Sequence, residues 1–372
     1  MGLLNLFNTK NENKQEQEHT TRTSEETLLS VADKRQRCEE FWALYLGDFS
    51  HLRDLEPREL VEQSNTLLKN YIPEVFTEYE QNDEGQYYRL VLTANGMVDR
   101  FGDVMLLAQT APELPGLEIQ AFRQRASAGD FELTMGNVSL SCSDVLVKPQ
   151  AEQGRISLTI AWNKPVPGDK REHALHATLL MMDHILGEYD SAVKVRYIDF
   201  LDEPINEEER SAYVTLDALA PLFDDIWHNQ LGHTRLFPDQ DGTWVQFQAS
   251  SDEDDDDVLI GTLNEEATSI ACRADMGVRL DVHAAAASRD ILDRVYAFED
   301  ALNALLQPQR LGLHVLSLFP FREQVRIMTW YASDAVTALQ AAEQTARQFS
   351  DLSLEFSTTY DPRWDSYLAW TQ

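Results

Sequence analysis

Cysteine is scarce. Cys38, Cys142 and Cys272 are the only three in 372 residues, far apart in the chain. With no C-x-x-C and no histidine at ligand spacing, they make neither a disulfide framework nor a zinc site. Long apolar runs are missing too, and nothing approaches the roughly 18 consecutive apolar residues of a membrane span. The opening Met1-Gly2-Leu3-Leu4-Asn5-Leu6-Phe7 has no basic flank and too short an apolar stretch for a signal peptide. Leu6 lacks the hydroxyl expected at a myristoylation site. There is no G-x-S-x-G elbow, no G-x-x-x-x-G-K-[ST] phosphate loop and no G-x-G-x-x-G after a strand, so the usual signatures of three large enzyme classes are absent.

Positive charge is the other shortage. Against 63 acidic residues stand 31 basic ones, a formal net charge of -32. A polyanion repels phosphate backbones and anionic lipid surfaces alike, which argues against nucleic acid or a bare membrane as partner. A basic protein surface fits the sign. The expectation is a cytoplasmic protein with no cofactor.

What is present is enough apolar material for more than one core: 43% hydrophobic and 9% aromatic residues in a chain longer than one core usually organises. Residues 1–28 read as a flexible polar tail. Residues 29–205 read as an N-terminal α+β domain, opened by helices over 26–46 and 56–71. Within it the order βαββαβ can be traced through strands 87–93, 117–122, 156–162 and 192–200, with a hairpin inserted over 131–146. Residues 206–264 read as a linking helix over 207–231, which Pro221 divides, followed by an acidic segment of short strands, with a further strand over 268–272. Residues 265–372 give the clearest pattern: strand 278–283, helix 290–306, strand 311–319, strand 324–331, helix 334–349, strand 353–358. That order is the signature of the ferredoxin-like split βαβ arrangement. The expected fold is therefore α+β, with two tandem ferredoxin-like (βαββαβ) units and additional helices.

Two clusters could carry chemistry. On the helix over 172–188, His176, Asp183 and His184 fall close to two turns apart and are the metal candidates, although the order is not H-E-x-x-H. The run Asp252, Glu253, Asp254, Asp255, Asp256, Asp257 lacks the sixth-position Gly and twelfth-position Glu of a calcium loop. It reads as a solvated loop or as an electrostatic lure for Lys and Arg on a partner.

The end of the chain, Leu352 to Trp370, reads LSLEFSTTYDPRWDSYLAW. A strand followed by Asp361-Pro362 and then Trp364 and Tyr367 resembles the C-terminal signature of the bacterial domain of unknown function 695, which is similar in turn to the regulator of ribonuclease E activity B. Phe298-Glu299-Asp300, Leu305 and Tyr331 agree with it. The resemblance covers residues 265–372 and transfers no catalytic residue. It implies a ferredoxin-like domain; the second family implies an acidic inhibitor that binds a ribonuclease directly. Trp364, Tyr367 and Trp370 are three apart, so a helix there would line them along one face, either packed onto the sheet or offered to a partner.

These observations favour a non-enzymatic binding or regulatory protein that recognises a basic protein through acidic surface. The alternatives are a metal-dependent or carboxylate-based hydrolase built on the 172–188 helix, and an immunity protein against a basic toxin.

Overall fold

The computed structural model describes residues 31–371 other than 83, 127–129, 202–204, 207, 239–241, 251–257, 287 and 321. The chain is an α+β protein that divides into two compact units. The first holds residues up to 150 with 157–223, and the second holds 151–156 with 224–372. No helix among the described residues is long and apolar enough to cross a membrane.

The first unit opens with α1 (Val31–Arg53) and α2 (Pro57–Lys69). α1 runs past Leu46 because Phe49 and Leu52 prolong its buried face beyond Phe41, Trp42 and Tyr45. Pro57 occupies the first turn of α2, where its missing N–H has no helical acceptor to lose. β1 (Phe76–Gln81) pairs antiparallel with β2 (Tyr87–Thr93). β2 pairs in parallel with β3 (Glu118–Ala121) through the crossover helix α3 (Phe101–Gln109). A separate hairpin joins β4 (Glu132–Met135) to β5 (Val138–Ser141), turning at Gly136 and Asn137. The remaining strands are β6 (Val145–Glu152), β7 (Arg155–Trp162), β8 (Val195–Phe200) and β9 (Val214–Thr215), ordered β8-β7-β6-β9. Helices α4 (Arg171–Leu186) and α5 (Glu188–Val193) lie between β7 and β8 in the chain.

The four strands read as one leading βαββαβ unit thus lie in two sheets, β2 and β3 in one and β7 and β8 in the other. The reason is the direct parallel contact of β2 with β3. A split βαβ unit leaves room for a strand between its parallel pair, and here there is none.

The long helix read over 207–231 is also broken up. Arg210–Ala212 and Leu216–Ala218 are short 3-10 turns flanking β9, and α6 (Leu219–Asp225) begins only two residues before Pro221. Proline is tolerated in a first helical turn and not in an interior, so the helix starts where Pro221 allows. A π turn, Ile226–Gln230, ends it.

The second unit is built on one six-stranded antiparallel sheet. Its strands are β10 (Trp244–Ser250), β11 (Val258–Asn264), β12 (Val278–Ala285), β13 (Gly312–Pro320), β14 (Val325–Ala332) and β15 (Leu354–Tyr360), in the order β10-β11-β13-β14-β12-β15. The helix α7 (Arg289–Leu306) joins β12 to β13, α8 (Ala335–Ala346) joins β14 to β15, and α9 (Asp365–Leu368) follows. Each strand-helix-strand passage skips one strand, and the helices cover one face of the sheet. Leu280, Val282 and Ala284 of β12 and Met328, Trp330 and Ala332 of β14 form a core there with Val295, Phe298, Leu302 and Leu306 of α7 and Ala338 and Ala342 of α8. Ser288 and Asp334 cap α7 and α8, accepting from Ile291 N and Thr337 N.

The segment read as a link between domains supplies the strands β10 and β11 to this sheet. Residues 268–272, read as a strand, fall instead in and just after a 3-10 turn, Glu265–Ile270. Asn264 starts that turn by accepting from Glu266 N, the behaviour of a capping residue rather than a strand residue.

Candidate functional site

The densest catalytic-type constellation lies on the helix face of the second sheet. Pairing of β13 with β14 matches His314 to Trp330 and Leu316 to Thr329, so Val315 is an extra residue. Strand side chains alternate, and residues three apart should face opposite ways. The bulge restores His314 and Ser317 to one face, opposite Glu299 of α7. Ser317 Oγ lies 3.0 Å from His314 Nε2. His314 Nδ1 lies 3.5 Å from Glu299 Oε1. Arg326 donates to Glu299 Oε2 from Nε at 3.1 Å and Nη2 at 2.8 Å.

Serine, histidine and carboxylate in that order are the parts of a nucleophile, its base and the group that orients it. Their surroundings decide against attack on a substrate in this state. Ser317 is 1% exposed and His314 2%. Trp330 stacks on the imidazole at 4.4 Å and Trp244 leans over it at 4.8 Å. Burial holds the His314 ring below the usual histidine range, an effect the Glu299 charge partly opposes. The Ser317 hydroxyl lies within hydrogen-bond distance of both His314 Nε2 and, at 3.4 Å, Glu299 Oε2, and Arg326 compensates Glu299. The cluster works as a buried polar bridge between α7, β13 and β14.

The C-terminal aromatics are part of the interior. Trp364 is fully buried, stacks on Tyr331 with centroids 3.8 Å apart, and donates from Nε1 to Met276 O at 2.9 Å. Tyr367 is fully buried and donates to Asn264 O at 2.8 Å. Neither ring has surface to offer, which corrects the reading of Trp364 and Tyr367 as partner-binding residues. They do not share a helix either, because Trp364 precedes α9 in a left-handed conformation with φ of 54°. Asp361 organises this end by accepting from Tyr331 OH at 2.6 Å and from the N–H groups of Asp365 and Ser366. Only Trp370 of the three aromatics keeps partial exposure, stacked on Phe247 at 4.9 Å.

A third anchor belongs to the π turn. His233, 1% exposed, stacks on Trp227 with centroids 3.7 Å apart. Its Nδ1 faces Thr268 O at 2.8 Å and its Nε2 faces Gly154 O at 2.9 Å. Both partners are carbonyls, so each accepts only where the ring nitrogen facing it carries a proton.

In the first unit, the metal candidates on α4 do not converge. His176 and His184 are exposed while Asp183 is half-buried, and no group of three or more His, Cys, Asp or Glu among the described residues is placed to hold a metal. Burial pushes the Asp183 carboxyl up to about 6, and the Glu188 charge adds to it. Glu188 itself is fully buried at the start of α5. It accepts from Thr93 Oγ1 at 2.7 Å, Gly96 N at 3.0 Å, Ala94 N at 3.1 Å and Arg123 N at 3.2 Å. Four donors fix this carboxylate as a tie between the loops after β2 and β3. In the sequence Glu188 is set apart only by the glycine before it: Gly187, at φ of 82°, separates α5 from α4.

The acidic run Asp252–Asp257 lies outside the described residues. No protein-family model, no curated protein and no solved structure matches the chain.

Proposed function

We propose that this is a binding or regulatory protein of the cytoplasm that recognises a basic protein partner through acidic surface, and that residues 265–372 are a ferredoxin-like domain of the kind that domain of unknown function 695 represents. The net charge of -32 carries the reading. Many of the few cations are engaged within the chain. Arg89, Arg100, Arg123, Arg125, Arg279 and Arg326 all pair with carboxylates of the chain itself. The field left outside is negative, and such a field steers and selects a positive partner.

The side chains with catalytic chemistry support the same reading. Ser317, His314, Glu299, Glu188 and Asp361 are bound to internal partners and serve packing. The strand order β13-β14-β12-β15, with both helices on one face, is the arrangement the ferredoxin-like reading requires.

The test is capture from the protein's own host on the tagged full chain, at low and at high salt. One stoichiometric basic protein, retained at low salt and released at high salt, is the expected result. Retention of acidic or neutral proteins that salt does not release would overturn the reading.

A further inference from the structure

β10 closes one side of the second sheet, and among the described residues its only sheet neighbour is β11. Which of its backbone groups face outward follows from one hydrogen bond. Glu265 N donates to Thr243 O at 2.9 Å, so Thr243 and Glu265 form a hydrogen-bonded pair in the register that matches Trp244 to Asn264. Antiparallel pairs alternate between bonded and non-bonded, so Val245, Phe247 and Ala249 bond to β11. Trp244, Gln246 and Gln248 then direct their N–H and C=O groups away from the sheet.

Natural edge strands are protected by charge, proline, a bulge, shortness or a covering segment. β10 reads WVQFQAS: seven residues with no charge and no proline. Its register with β11 runs without a shift from Trp244 to Ser250. Trp244 and Val245 are each 39% exposed, and Gln246 and Gln248 are exposed. The opposite edge, β15, carries the exposed carboxylate Glu355.

The edge is also held in place. The Phe247 ring covers Gly261 on β11, leaving no room for a side chain there, and it stacks on Trp370. An edge so fixed loses little entropy when a further strand joins it.

Resting on the proposed function, we infer that β10 is a docking edge on which an extended, lysine- or arginine-bearing segment of the partner adds as a seventh strand. Charge selects the occupant. A second copy of the chain brings another net charge of -32 to the same place. Glu265 and Glu266 are exposed beside the start of the edge, and in the sequence Asp252–Asp257 follow Ser250 after a single residue. Main-chain pairing supplies the affinity in this mode, and side chains at alternate positions supply the choice.

The test uses the full chain and a synthetic peptide alternating lysine with valine, with a proline-interrupted peptide of equal charge as control. The expected result is preferential binding of the alternating peptide, with slowed amide exchange at Trp244, Gln246 and Gln248. Gln246→Pro removes an outward N–H without touching the bonds to β11 and is expected to weaken binding roughly tenfold or more. Gln248→Lys changes only an exposed side chain and is expected to weaken it through repulsion, so a folding defect in the first variant does not decide the matter. Equal affinity for both peptides, unchanged in both variants yet lost at high salt, would overturn strand addition and leave the acidic-surface reading standing. No binding of either peptide, or a doubling of mass abolished by Gln246→Pro, would also overturn it, the latter by naming a second copy as the occupant.

Discussion

Trp364 lies flat against Tyr331, the ring planes 11° apart and the centroids 3.8 Å apart. One residue belongs to the chain end and the other to the strand β14, so this stack fastens the terminus to the sheet face opposite the two helices. Trp364→Ala removes a fully buried indole and its bond to Met276 O. The expected loss is about 3–5 kcal/mol of stability in the second unit, read by denaturant unfolding. Trp364→Phe keeps part of the stack and should lose less.

Arg326 and Glu299 illustrate why a buried pair is costly to break on one side only. Arg326→Met leaves the largely buried Glu299 carboxylate without its guanidinium, with only His314 and Ser317 beside it, and the expected loss is about 3 kcal/mol. A substitution of both residues by well-packed apolar ones should cost far less. A double-mutant cycle on the urea midpoint separates these outcomes.

His314 gives the second unit an acid limit. Its ring is held below the usual histidine range chiefly by burial. The unfolded chain takes up a proton near the ordinary value of about 6.5, and the folded chain does so only at lower pH. The unfolded state therefore binds more protons as pH falls through that value, and stability is lost on acidification. Unfolding followed against pH should show this slope in wild type and lose it in His314→Gln.

Asp183 gives the opposite sign in the first unit. Its carboxyl is raised to about 6, with burial as the main cause. Between the ordinary carboxylate value of about 4 and this raised value, the folded state holds the proton more tightly than the unfolded state. Stability due to this group is present below that window and falls as pH rises through it. Asp183→Asn should therefore be more stable than wild type at neutral pH, with the difference closing in acid.

Gly261 must stay glycine for β10 to lie where it does. A Cβ there would stand 2.1 Å from the Phe247 ring. Gly261→Ala is expected to cost about 1–3 kcal/mol through overpacking and to loosen the edge strand. Faster amide exchange along β10, with the rest of the sheet unchanged, is the measurement that checks it.

The parts of the fold that could be read from the sequence are those set by local period. Alternation over 278–283 and helical spacing over 290–306 mark β12 and α7 because each element buries its own face. Sheet membership depends on pairing across the chain. β2 and β3 carry the same kind of pattern whether they adjoin or leave a gap, so their direct parallel contact was invisible. The extra residue at Val315 was hidden for the same reason, and with it the meeting of His314 and Ser317. Trp364 and Tyr367 stood out as aromatics, but burial against Tyr331 and Asn264 is a property of the assembled sheet. Short strands were visible within 206–264; that one of them, β10, forms an edge of the sheet was not.

The most direct test of the central claim is the affinity of the full chain for its captured basic partner as a function of salt, for wild type and for a variant carrying Asn and Gln in place of Asp252–Asp257. The account predicts a steep fall in affinity with rising salt and weaker binding with a shallower fall in the variant. An affinity that salt does not change, equal in both proteins, would contradict it.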